Sequence, residues 1–173
     1  MFAPAAHGYA AATGRYAGRK AAAYVSQANR PAVSREQIMR EKARVYAPVK
    51  RKEGIEWKEL HAGMARMMQY FCSEYKTEKL LNMGLDALNE IEKDFVPNLY
   101  ALDPHKLLRS LEDLSILQFS QLIIHGSLAR KASSQPLNFQ RIDYPQMDPP
   151  EWKKFITLKL ADGKVKVGEL SHA

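Results

Sequence analysis

Cysteine is almost missing from this chain. Cys72 stands alone among 173 residues, which excludes a disulfide framework and a cysteine-based metal site. A reducing, cytoplasmic compartment is the natural reading. Long apolar runs are missing as well: none approaches the roughly 18 residues of a membrane span, so no direct membrane insertion is expected. The N-terminal stretch is Ala-rich, but no charged leader precedes its apolar part, and His7, Gly8, Gly14 and Arg15 interrupt it. It makes a poor signal peptide. Histidine is scarce, with His7, His61, His105, His125 and His172 set at no metal-ligand spacing from one another or from a carboxylate.

The apolar share of 46% and charged share of 26% are those of an ordinary soluble globular protein. A chain this long forms one domain, or one domain and an appendage, and buries roughly two-thirds of its unfolded surface. The net charge of +7 permits contact with nucleic acid. However, the basic residues read as spread along the chain, and the densest run, Lys50 to Lys52, is followed by Glu53, Glu56 and Glu59. Aromatic and basic residues do not interleave as in single-strand binders, so no nucleic-acid partner is expected.

Four zones follow along the chain. Residues 1–30 read as a Gly/Ala-rich loop leading into a helix from about Thr13, which Pro31 ends. Residues 31–54 are a connector: a charged helix opened by a capping box at Ser34 to Gln37 and running to about Tyr46, then a linker. Residues 55–133 carry three amphipathic patterns and predict an up-down-up three-helix bundle. The first stripe is Leu60, Met64, Met67, Phe71 and Tyr75. The second, capped by Thr77, is Leu81, Leu85, Leu88, Ile91 and Phe95. The third, capped by Asp103 with Pro104 at the first helical position, is Leu107, Leu111, Leu114, Leu117, Leu122, Ile124 and Leu128. Residues 134–173 are an irregular strap and a β-hairpin turned by Asp162-Gly163, the dipeptide of a type I′ turn. The fold class expected is mainly α.

No constellation here supports catalysis unaided. His61 and His125 lie in helix patterns as packing residues, and Cys72 reads as a small buried hydrophobe. Glu90, Glu92 and Asp94 read as a solvated acidic face. The loop carrying His7, Gly8, Thr13 and Gly14 precedes a helix whose first amides suit an anionic ligand, although on these residues alone a tight turn is the better account. The strap, "LARKASSQPLNFQRIDYPQMDPPEWKKF", is too polar for core and too rich in Pro, Asp and Arg for helix. It should lie on a surface, with Arg130 and Arg141 pairing with Asp143 and Asp148 and with Trp152 as an anchor.

The strap resembles the C-terminal signature of the succinate dehydrogenase and fumarate reductase flavoprotein subunits. Ala129-Arg130, Ser133, Arg141, Asp143-Tyr144-Pro145, Asp148 and Trp152 match it. The preceding helices resemble that superfamily's three-helix domain, and His7 to Tyr24 is similar to its last flavin-binding segment. Adenylylsulfate reductase alpha subunits form one branch. The resemblance implies a C-terminal part of an FAD-dependent oxidoreductase that moves hydride between the flavin N5 and a substrate. His7, Gly8, Thr13 and Gly14 would then lie near the isoalloxazine, with a helix from Gly14 aiming its N-terminus at the pyrimidine end.

The resemblance further implies that the bundle docks subunits and that Arg130, Arg141, Asp143, Tyr144 and Trp152 latch it to a flavin-binding body in the same or a separate chain. An iron–sulfur electron-transfer subunit is the further partner, and any association with the inner membrane is peripheral, through partners. This sequence departs from the family pattern in several ways, among them the lack of a substrate-gripping Arg between His7 and Thr13 and of the capping domain with its proton-donating Arg. The strap histidine is replaced by Phe139, Ser133-Ser134 stands for Ser-Arg, and the dinucleotide fingerprint is absent. The chain alone is expected to carry no FAD and no activity. The alternative is a stand-alone helical interaction module without flavin.

Overall fold

The computed structural model describes residues 3–171, so His172 lies outside the described residues. The chain divides into two compact units, one up to Glu41 and one from Lys42 onward.

The first unit contains α1 (Ala3–Val25) and the start of α2 (Arg35–Val45). The reciprocal capping box forms as read: the Gln37 amide donates to the Ser34 hydroxyl at 3.1 Å, and the Ser34 amide donates to Gln37 Oε1 at 2.8 Å. The expected loop before Thr13 does not form. α1 begins ten residues earlier and ends six residues before Pro31. With nine alanines ahead of Ala23, helix propensity outweighs the penalty of about 1 kcal/mol per interior glycine.

The second unit is mainly helical. α3 (Trp57–Phe71), α4 (Glu78–Asp94) and α5 (Pro104–Ala129) pack together as the predicted bundle. Its core is Leu60 and Met64 from α3, Leu81, Leu88 and Ile91 from α4, and Leu117 and Ile124 from α5, with Leu99 from the α4–α5 connection. Thr77 caps α4 by accepting from the Leu80 amide at 3.2 Å, and Asp103 caps α5 by accepting from the Lys106 amide at 2.8 Å. Gly84 permits a close approach between helices, since a Cβ there would sit 2.7 Å from the Phe71 Cβ and 3.3 Å from Ile124 Cδ1.

All three stripes differ in part from the sequence reading. α3 stops at Phe71, so Tyr75 leaves the helix for β1 (Tyr75–Lys76) and is exposed. Phe95 is the exposed C-cap of α4. On α5, the fully buried line is Leu107, Ser110, Asp113, Leu117, Ser120, Ile124 and Ser127, while Leu111, Leu114, Leu122 and Leu128 are half-buried. α5 is the shared neighbour of α3, α4 and the hairpin, and small serines let backbones approach it closely.

The segment before α3 is more ordered than a linker. Pro48 is buried, the Ile55 amide donates to Asn98 O at 2.8 Å, and Arg51 Nη1 donates to Leu99 O at 2.8 Å. After α5, β2 (Gln140–Arg141) pairs in parallel with β1, matching Tyr75 with Gln140 and Lys76 with Arg141. β3 (Lys154–Ala161) and β4 (Lys164–Ser171) then form the antiparallel hairpin. Asp162 and Gly163 have φ of 56° and 72°, the left-handed pair a type I′ turn demands. Leu158 reaches α5 at Gly126, where its Cδ1 would be 3.8 Å from an added Cβ.

Candidate functional site

The strap lies on its own bundle, and Arg141 is the reason. Its side chain is 0% exposed, yet it is a full cation, so burial is tolerable only if its donors are paired. They are. Nε and Nη2 donate in parallel to the two oxygens of Asp143 at 2.8 and 2.7 Å. Nη1 donates to the Ser127 and Arg130 carbonyls at 2.6 and 3.0 Å, the last turn of α5, where a helix offers unpaired acceptors and partial negative charge. The Tyr144 ring covers the guanidinium at 4.9 Å.

Asp143 carries the tie onward. Its Oδ2 accepts from the Glu78 amide at 2.7 Å, in the first turn of α4. The Arg141 guanidinium holds this carboxyl well below its ordinary value, at about 2, with the Glu78 amide adding to the effect. One Arg–Asp pair therefore closes the C-terminus of α5 and the N-terminus of α4 together.

The rest of the strap folds around Ser133 and Asp148. The Ser133 hydroxyl is buried, accepts from the Arg141 amide at 2.9 Å and donates to Tyr144 O at 2.9 Å. Asp148 accepts from the Ser134 hydroxyl at 2.6 Å and the Gln135 amide at 3.1 Å, and these bonds lower its carboxyl value. The anticipated Arg141–Asp143 pair thus forms, whereas Arg130 lies 5.7 Å over the Trp152 ring, with Lys154 4.3 Å from the same ring. Trp152 is an anchor within the chain. Arg141 has its bonds spent inside the domain and does not face outward. Leu137, Ile142 and Met147 do, at 64%, 59% and 47% exposure.

A second polar contact was not singled out by sequence reasoning. His61 Nδ1 lies 2.8 Å from Asp113 Oδ1, joining positions 52 residues apart. Asp113 is buried, and its Oδ2 has no hydrogen-bond partner. The signal available was an acid in the line of α5 positions that also holds Leu117 and Ile124. His125 is lowered by burial, and burial pushes the Cys72 thiol up, which fits packing roles for both. No group of three or more His, Cys, Asp or Glu suited to a metal occurs among the described residues.

The four residues read as flavin-binding fare differently. His7, Gly8, Thr13 and Gly14 all lie inside α1, so none stands at a helix N-terminus. The Thr13 hydroxyl donates back to Tyr9 O at 2.8 Å, and neither glycine has a neighbour within 4 Å of an added Cβ. The helix-terminus geometry expected of them is not what this chain adopts.

The family model for the fumarate reductase flavoprotein C-terminus matches residues 61–170, the bundle, strap and hairpin just described. The chain belongs to that family. A search of curated proteins finds no match to this fumarate reductase flavoprotein C-terminal domain. Among solved structures, adenylylsulfate reductase from Archaeoglobus fulgidus is similar, with a TM-score of 0.79 and 20% identity over 87% of this chain and 26% of that one. E. coli quinol fumarate reductase gives 0.70 and 24% over 91% and 28%, and the Mycobacterium smegmatis Sdh1 complex gives 0.66 and 23% over 88% and 27%. These likenesses establish the shared fold. The chain spans about a quarter of the length of the structures it matches. No helix among the described residues is long and apolar enough to cross a membrane.

Proposed function

We propose that this chain is the C-terminal helical domain of an FAD-dependent oxidoreductase of the fumarate reductase/succinate dehydrogenase flavoprotein type. Its role is structural and subunit-docking, and it is not catalytic alone. The family match over residues 61–170 supports this reading most directly. In the assembled enzyme FAD supplies the hydride chemistry, and the protein orients it. This chain contributes a rigid bundle whose two helix ends are tied by Arg141 and Asp143. It also contributes a strap on which Leu137, Ile142 and Met147 are exposed, apolar side chains available to a partner.

The partner proposed is the flavin-binding portion, in the same or a separate polypeptide, with an iron–sulfur electron-transfer subunit as the further neighbour. Co-expression with the corresponding flavin-binding portion tests the reading. The expected result is a co-purifying yellow complex, while the chain alone is colourless. A stoichiometric flavin band on the chain alone refutes the claim that it is silent by itself. Failure to recover any complex favours a stand-alone helical module.

A further inference from the structure

The acids of α4 and the lysines of the hairpin have no part in the latch. Asp86, Glu90 and Asp94 follow one another at four-residue spacing and are all exposed. Like charges four apart on a helix repel. From Met83 to the end of α4 only Lys93 offsets four acids, and the fourth, Glu92, accepts from Gln121 Nε2 on α5 at 2.7 Å.

The hairpin carries the opposite sign. Its register sets Phe155 against Leu170, Thr157 against Gly168, Lys159 against Lys166 and Ala161 against Lys164. Directly opposed residues share a face and faces alternate along a strand. These four pairs therefore lie on the side away from Leu158, which meets α5 at Gly126. Two lysines directly opposed destabilise a ladder. Lys166 is bonded to Asp162 at 3.0 Å, but both side chains stand largely in water and the pair contributes little. Lys159, Lys164, Asp86, Glu90 and Asp94 have no ion-pair partner among the described residues. The lysine face ends in an apolar pair, Phe155 and Leu170, exposed at 59% and 58%, and the acidic row begins beside Met83, exposed at 46%.

The two rows match in length as well as in sign. A strand puts about 13 Å between Phe155 and Lys159, and about 20 Å between Phe155 and the Ala161–Lys164 pair. A helix puts about 10 Å between Met83 and Glu90, and about 16 Å between Met83 and Asp94. A helix laid along the hairpin thus brings Met83 to the apolar pair and the carboxylates to the lysines.

We propose that two copies of this chain associate through these surfaces, the lysine face of each hairpin receiving the acidic row on α4 of the other copy. The contact is between copies because each lysine face is turned away from the α5 on which its own hairpin sits. About a two-fold axis the same contact is made twice. Exposed charges set the register and exclude wrong partners, while the apolar contact and its repetition supply affinity. The inference stands apart from the function proposed above.

Sedimentation equilibrium of the full chain tests it, over about 5 to 200 µM, where a weak dimer forms and dissociates. At low salt the mass should rise from 19.6 kDa towards twice that value with concentration. The dissociation constant should increase at least ten-fold between about 0.05 and 0.3 M salt. Lys159→Glu/Lys164→Glu/Lys166→Glu and Asp86→Lys/Glu90→Lys/Asp94→Lys should each be monomeric, yet an equimolar mixture of the two should dimerise, since both contacts then pair opposite charges. Asp86→Asn/Glu90→Gln/Asp94→Asn, which keeps side-chain shape, should also weaken the wild-type dimer at least ten-fold. Arg15→Glu/Arg19→Glu/Lys20→Glu, with the same change in net charge as the lysine variant, should stay within three-fold of wild type. A wild type monomeric throughout, a dimer insensitive to salt, a dimer retained by either monomer-expected triple variant, or a mixture that fails to re-associate overturns the inference.

Discussion

Replacing Arg141 by Met removes the fork while keeping an unbranched side chain that fills much of its volume. It strands the Ser127 and Arg130 carbonyls and leaves Asp143 facing the site without its cation. Breaking a buried ion pair from one side costs about 3–5 kcal/mol, a third or more of the stability of a typical domain. In a domain of this size that lowers the midpoint of thermal unfolding by roughly 10 °C. Arg141→Lys should recover little, because an ammonium cannot bind a carboxylate in parallel and two carbonyls at once. The pH arm is independent of these variants. The Asp143 carboxyl titrates at about 2 when folded, below its ordinary 3.8. Its contribution is therefore complete above about pH 4 and is lost as the pH falls through 2. With the carboxylate 28% exposed, solvent screening trims that contribution to about 1–2 kcal/mol. Urea unfolding of wild type and Asp143→Asn from pH 5 to pH 2 should show the gap between them closing as acid is added. If Arg141→Met stays within about 1 kcal/mol of wild type at pH 7, the latch is not what holds the strap.

Three other perturbations follow from the packing. Gly84→Ala gains about 1 kcal/mol of helix propensity but drives a methyl group into Phe71, so urea unfolding should show a net loss of about 1–3 kcal/mol. Thr77→Ala removes the α4 cap and should cost about 1 kcal/mol by the same assay, with Thr77→Ser close to wild type. His61→Ala leaves the buried Asp113 side chain without its hydrogen-bond partner, at a cost of about 1–3 kcal/mol. His61→Ala/Asp113→Leu should melt higher than His61→Ala alone, and a double variant melting lower would show that the pair does more than satisfy a buried polar group.

Local features of this fold were legible because their causes are local. Asp162-Gly163 specifies its turn through two left-handed backbones, and Ser34, Thr77 and Asp103 specify helix starts through oxygens three residues from the amides they serve. The three-helix bundle followed from stripes such as Leu81, Leu88 and Ile91. What depends on distant partners was not legible. Periodicity cannot reveal that α5 buries Ser110, Ser120 and Ser127 ahead of Leu111 and Leu122, since a helix with neighbours on several sides has no single apolar face. The strap was legible as something that lies on a surface, but not as lying on its own helices, because the carbonyls that receive Arg141 carry no side-chain signature. The start of α1 was misread for a similar reason. Gly8 and Gly14 suggest a loop by type, yet nothing in this chain bends the helix there.

The amide of Glu78 waits for a carboxylate encoded 65 residues downstream. On the ribosome, α3, α4 and α5 are all synthesised before Asp143, so the ties at the two helix ends are the last to be made. Synthesis order thus makes the strap the last closure. A chain cut short just after α5 keeps the three helices but lacks both ties, the one at the α4 N-terminus and the one at the α5 C-terminus.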